Sequence, residues 1–171
     1  MKKLLAGIMA AGLILTFGCG KAAKSISEKA VEKAIEAQTG GKADVNITDG
    51  KVTVKTKDGT SSIDMSGGGA IPADFPKDVY VPGSAKIMGS VNTPDGTMVT
   101  MESSEALAKA SEKYISEMKA QGWTEDANAN MNGQIMLAFK KEQRTASVML
   151  SSSDGKTQVI LTVTKQAAKA E

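Results

Sequence analysis

The chain of 171 residues contains no histidine, and its single cysteine is Cys19. Without histidine there is no Ser-His-Asp or Cys-His catalysis and no imidazole metal site. One cysteine forms neither an intramolecular disulfide nor a Cys-rich zinc cluster. Arginine is nearly absent, with Arg144 alone, and aromatic residues make up 4% of the chain. Nucleic-acid binding wants an Arg-rich, aromatic-interleaved patch, so that class is rejected. A formal net charge of +2 is too small to argue otherwise. What remains is an ordinary globular composition, 41% hydrophobic and 23% charged.

The N-terminus is organised differently from the rest. Lys2 and Lys3 form a positive start, and Leu4 to Phe17 carry no charge before small Gly18 and Cys19. This is the layout of an export signal. As a helix the apolar run rises only about 21 Å, short of the roughly 30 Å hydrocarbon core, which argues against a permanent transmembrane span. Both lysines leave with the leader, so the mature chain has balanced charge.

The sequence Leu15-Thr16-Phe17-Gly18-Cys19 resembles the lipobox of bacterial lipoproteins, with Thr16 and Phe17 where the commonest form has leucine and a small residue. The resemblance implies cleavage before Cys19, acylation of its sulfur with palmitate or a related chain, and anchorage in membrane lipid. Two or three acyl chains hold a protein permanently where one is marginal. A thioether-linked cysteine also leaves an exported protein with no free thiol. Gly20 is not the aspartate that retains such proteins in the inner membrane of many Gram-negative bacteria. By that analogy the outer membrane, on its periplasmic side, is the expected location.

The reading divides the chain into a signal peptide (1–18), a lipidated tether (19–24), a front unit (25–66), a Gly/Pro-rich linker and lead-in (67–84), a sheet domain (85–165) and a disordered tail (166–171). Ser25-Ile26-Ser27-Glu28 has the form of a capping box. An amphipathic helix is predicted after it, ended by Gly40-Gly41. Alternating segments punctuated by Asp49-Gly50 and Asp58-Gly59 predict a three-stranded meander. Its apolar set is mostly Ala and Val, so little stability of its own is expected.

Pro72, Pro76 and Pro82 predict an extended, ordered lead-in with Phe75 and Tyr80 as packing anchors. Strands are predicted at 85–92 and 97–102, then a helix from Ser104 to Gln121 capped by Ser103 or Ser104 and stopped by Gly122. Four strands follow, a weak one near 124–131 and three with Ile135/Leu137/Phe139, Ala146/Val148/Leu150 and Val159/Leu161/Val163 on one face. The expected fold class is α+β. The back unit is a two-layer domain of about six antiparallel strands, ordered ββαββββ, with one helix on a face. Through Phe75-Pro76-Lys77-Asp78 and the Tyr114 to Trp123 helix end it loosely resembles small helix-on-sheet domains of bacterial envelope lipoproteins, a family of uncharacterised function without a catalytic motif.

Candidate sites were weighed against strand period. Met98 and Met101 differ by three and point to opposite faces, and the same parity argument separates Met131 from Met136. The thioethers therefore do not gather into a Cu(I) site. Met88, Met136, Met149 and Ile160 are out of phase with the buried residues of their strands. They place an apolar set on the outer face, to be covered by the front unit, a lipid, a peptide or a partner protein. Asp74 and Asp78 invite a paired-carboxylate reading, but two acids in a Pro-rich loop need not converge. The Asp-Gly pairs read as turns rather than calcium loops. Lys140 to Arg144 reads as a solvated hairpin loop.

The expectation is thus a lipid-anchored envelope protein with a non-enzymatic binding, assembly or structural role. The alternative is carriage of an apolar or peptide ligand in a Met-lined groove. Cys19 is the one site residue assigned, as the lipid attachment. No catalytic, cofactor-binding or metal residue is assigned. Membrane lipid and an envelope protein are the expected partners.

Overall fold

The computed structural model describes residues 28–165. The leader, Cys19, the Ser25 capping box and the tail from residue 166 lie outside the described residues. The fold is α+β. The described residues fall into two compact units divided between Ser61 and Ser62. No helix among the described residues is long and apolar enough to cross a membrane.

In the first unit, helix α1 (Glu28–Thr39) ends at Gly40, whose positive φ of 67° suits glycine and whose N–H bonds Glu36 O at 2.8 Å. Strands β1 (Asp44–Thr48) and β2 (Lys51–Thr56) form an antiparallel hairpin around Asp49-Gly50, both residues at positive φ. Two acids of α1 face this hairpin rather than water. Glu32 Oε1 accepts from Val45 N at 3.1 Å and Glu36 Oε1 from Ala43 N at 3.2 Å. Among the described residues of this unit Val45 is the buried hydrophobic one, in keeping with its sparse apolar content.

The second unit carries the larger sheet. Strands β4 (Lys86–Thr93) and β5 (Gly96–Ser103) precede helix α2 (Leu107–Ala120). After the helix come β6 (Thr124–Met131), β7 (Gln134–Lys141), β8 (Arg144–Ser153) and β9 (Lys156–Lys165). The spatial order is β4-β5-β9-β8-β7-β6, all antiparallel. The ββαββββ order holds, but the strand count needs amending. The end of β3 (Gly59–Asp64) pairs with β4, Ser62 to Asp64 lying opposite Asn92 to Ser90, so the third strand of the expected meander also belongs to the back sheet. Its alternating pattern fits any antiparallel neighbour, so sequence alone could not choose the partner.

Period-2 alternation decides the core. On the inner face Leu137, Val148, Leu161 and Val99 lie directly opposite one another across four strands, and Ile135, Leu150, Val159 and Met101 form a second such row. All eight are buried, as is Phe139. Helix α2 lays Ala110, Tyr114 and Met118 onto this face. Phe75 and Val79 of the lead-in join the same cluster, and Tyr80 meets Tyr114 edge to face with centroids 5.1 Å apart.

The helix ends differ from each other. At the N-terminus the cap position is Ala106, with no side-chain cap, and no acid lies in the first turn. Ser103 instead accepts from Glu105 N at 3.2 Å, closing the end of β5 before the helix starts, which corrects the expected Ser103 or Ser104 cap. At the C-terminus Gly122 N bonds Lys119 O and Trp123 N bonds Met118 O, both at 3.0 Å, with Gly122 at φ 82°. This is a Schellman stop, and it turns Trp123 inward.

Phe139, fully buried in the middle of β7, tests the core. Phe139→Ala is expected to destabilise the domain by about 3–5 kcal/mol, read as a lower denaturation midpoint, whereas Lys140→Ala, exposed beside it, should change it by less than about 0.5 kcal/mol.

Candidate binding surface

The two carboxylates singled out in the lead-in do not converge. Asp74 accepts both bonds from Asn92 Nδ2, at 3.1 and 2.9 Å. Asp78 receives the only arginine as a fork, Nη1 to Oδ1 at 2.8 Å and Nη2 to Oδ2 at 2.7 Å. Lys141 Nζ adds a bond to Asp78 Oδ2 and another to Gln121 O, each 2.7 Å. The Arg144 guanidinium stacks 5.0 Å above the Trp123 ring, whose Nε1 donates to Asp78 O. The Lys141 to Arg144 hairpin is therefore a clamp, not a solvated loop. It fastens the Pro-rich lead-in to the helix stop and to the β7–β8 turn.

The clamp fixes the charge of Asp78. Arg144 hydrogen bonds, joined by Lys141, hold its carboxyl well below the usual carboxylate range, against a partial burial that pushes the other way. Tyr114 moves in the opposite sense. Its hydroxyl donates to Met101 Sδ at 3.8 Å, and burial raises its pKa. Asp78 is held by Lys141 and Arg144 and Tyr114 lies between helix and sheet, so both serve packing.

The helix-covered face of the sheet is filled by side chains, Tyr114, Phe139, Met101 and Met118 being fully buried between the layers. The surface open to a ligand is the other face. There Ala129, Met136, Met149, Ile160 and Thr100 lie directly opposite one another across β6, β7, β8, β9 and β5. A neighbouring row runs Ala138, Ser147, Thr162, Met98, Val91 and Ile63. Opposed side chains in such rows sit about 5 Å apart at Cβ. Met98 is 37% and Met136 41% exposed, while Met149 and Ile160 are half-buried.

Of the four residues expected on this face, Met136, Met149 and Ile160 are brought into contact. Met88 sits in a bulge between Ile87 and Gly89 and is 39% exposed. Met101 and Met118 fill the core instead. Met131 corrects the parity argument: it lies opposite Gln134, which shares a face with Met136, because the hairpin at Asn132-Gly133 reverses the chain between them. Parity counts faces along one strand and fails across a turn. Among the described residues no three His, Cys, Asp or Glu side chains are grouped to hold a metal. Cys19 lies outside the described residues. An open cleft of about 570 Å³ lies along the start of β6, lined by Lys119, Trp123, Thr124 and Asn128 among others. Its acids are occupied, Glu125 by Lys119 at 2.6 Å and Asp126 by Lys140 at 2.7 Å.

Sequence reasoning missed the Asp78 clamp. Its one signal was the solitary arginine beside Trp123-containing structure. Because the folded Asp78 binds its proton more weakly than the unfolded chain, its stabilisation is complete above about pH 4, the unfolded value, and is lost as pH falls toward the folded value. Asp78→Asn should flatten the acid limb of the stability profile below about pH 4. At neutral pH Asp78→Ala should cost about 2 kcal/mol, both read by denaturant titration.

Residues 84–166, from just before β4 to just after β9, match a family described as START domain-like. No curated protein and no solved structure matches the chain.

Proposed function

We propose that this chain is an exported, lipid-anchored binding protein of the cell envelope, tethered through acylated Cys19, with a non-enzymatic role. The sheet domain holds the apolar side of a peptide or partner protein on its outer face. The observation that carries the binding part is the contiguous row Met136–Met149–Ile160, flanked by Met98 and partly open to solvent. Soluble domains seldom leave such a patch on a sheet without a use for it. Flexible thioether side chains suit an adaptable apolar contact.

Similarity to a START domain-like family agrees with a ligand-binding rather than a catalytic domain. In this chain the space between helix and sheet is taken by Tyr114, Phe139, Met101 and Met118. The outer face is therefore where a ligand finds room without unpacking the core. The anchoring part rests on the leader layout and the lipobox resemblance at Leu15 to Cys19. Outer-membrane placement, facing the periplasm, rests on Gly20 by analogy with Gram-negative lipoproteins. A second reading, carriage of a small apolar ligand, draws on the same methionines.

Two measurements check the two parts. Radiolabelled palmitate should enter the protein, and labelling that survives Cys19→Ala would remove the anchor. A benzophenone side chain in place of Met136 should form discrete adducts in native envelopes, while one in place of exposed Glu112 on α2 forms none. Protein adducts support the partner reading and lipid-sized adducts the carrier reading. Adducts at both positions, or at neither, would leave the outer face without a binding role.

A further inference from the structure

The outermost strand of the larger sheet, β6, ends the strand order. Residues Ala127 to Met131 are all exposed, and Met131 is 60% accessible. Among the described residues the backbone of β6 pairs with β7, and no loop or turn hydrogen bond reaches its far side. Such an edge presents a row of unpaired N–H and C=O groups, which proteins normally blunt with charge, proline or a bulge. Here the blunting is confined to one end. Glu125 precedes a bulge at Asp126, and the five residues Ala127-Asn128-Ala129-Asn130-Met131 carry no charge and no proline.

We propose that this half of β6 is a homodimer seam, in which a second copy of the chain pairs antiparallel across a two-fold axis at Ala129. The choice of a second copy rests on self-complementarity of charge and side chain. Centred on Ala129, the pairing sets Asn128 against Asn130 of the second copy, twice. Asn128 Nδ2 donates to Glu125 Oε1 at 3.2 Å, which leaves its Oδ1 to accept from the amide of Asn130 of the second copy. Ala127 meets Met131 of the second copy. Beyond Met131 the chain enters the Asn132-Gly133 turn, so Asp126 and Glu125 lie past the paired stretch and no acid opposes an acid. A seam centred on Asp126 would place two carboxylates face to face, which is destabilising. Ala129 is the midpoint of the uncharged run, so this register pairs all five of its residues with one another.

The same register preserves the faces of the sheet, since directly opposed antiparallel residues share a face. Ala129 lies in the outer row with Met136 and Met149. Met131, opposite Gln134, is on that face as well. Across the two-fold axis the apolar rows of both copies become one surface, and the exposed Met131 gains an apolar neighbour in Ala127 of the second copy. An isologous contact of this kind closes at two subunits and forms no fibre.

Sedimentation equilibrium of the full chain in density-matched nonionic detergent reads the state directly. The wild-type chain is expected to dimerise. Ala129→Lys and Ala129→Glu, each placing like charges opposite one another at the axis, should each weaken dimerisation at least tenfold. An equimolar mixture of the two should restore it. Ala127→Lys gives an independent break in the seam, and thermal melting by circular dichroism verifies that each variant stays folded. A wild-type chain that is monomeric, an Ala129→Lys chain that dimerises like wild type, or a mixture that stays monomeric would each overturn the proposal. The outcome is separate from that of cross-linking at position 136, because the seam does not require the outer face to be occupied.

Discussion

A single helix can cover only one face of a sheet, and in the larger unit α2 is that helix. Residues of period two on β5, β7, β8 and β9 send Val99, Leu137, Val148 and Leu161 to the covered side, where they are buried. The alternate set, Met98, Met136, Met149 and Ile160, goes to the other side by the same geometry. The outer face of most half-covered sheets is polar. This one mixes Ser and Thr with a band of methionine and isoleucine. The departure from polar alternation, not any cluster of ionisable groups, distinguishes the surface that a ligand can reach.

The local parts of this arrangement were legible in the sequence because they depend on neighbours a few residues apart. Ile135, Leu137 and Phe139 declare both a strand and its buried face. Gly122 after the Tyr114–Met118 stripe declares a helix end, and the Schellman bonds at Met118 and Lys119 follow from it. Asn132-Gly133 and Asp154-Gly155 declare tight hairpins, and all four residues take positive φ. What failed were inferences that cross a turn or a long separation. Met131 changed faces once the hairpin was closed. The end of β3 found β4 across a Gly- and Pro-rich segment.

The Asp78 clamp was hidden for the same reason. Its partners Lys141 and Arg144 lie more than sixty residues away, and a Lys-Lys-Glu-Gln-Arg hairpin read locally is only a charged turn. Once folded, the fork from Arg144 and the bond from Trp123 to the Asp78 carbonyl tie three non-contiguous segments together. The Pro-rich lead-in has no strand or helix to hold it. Turns closed by the carbonyls of Pro72, Pro76 and Pro82 shape it, Phe75 and Val79 bury it, and Asp78 fixes it electrostatically. On α1, too, partners outside the helix matter: the carboxylates of Glu36 and Glu32 accept from Ala43 and Val45 at the start of β1.

These placements bear on where recognition can occur. The charged groups with the best geometry, Asp78, Lys141 and Arg144, are already satisfied by one another, and Arg144 stacks against Trp123, so a ligand seeking them would have to break the clamp. The acids at the start of β6 are likewise paired with Lys119 and Lys140. Electrostatics in this domain is spent on holding the fold and blunting one end of an edge. The uncommitted surface is apolar on the outer face and bare backbone along Ala127 to Met131. Apolar contact supplies affinity with little directional demand, while strand pairing supplies register. In the proposed dimer the edge sets the register between the copies and joins their apolar faces, and the two features meet at Ala129 and Met131.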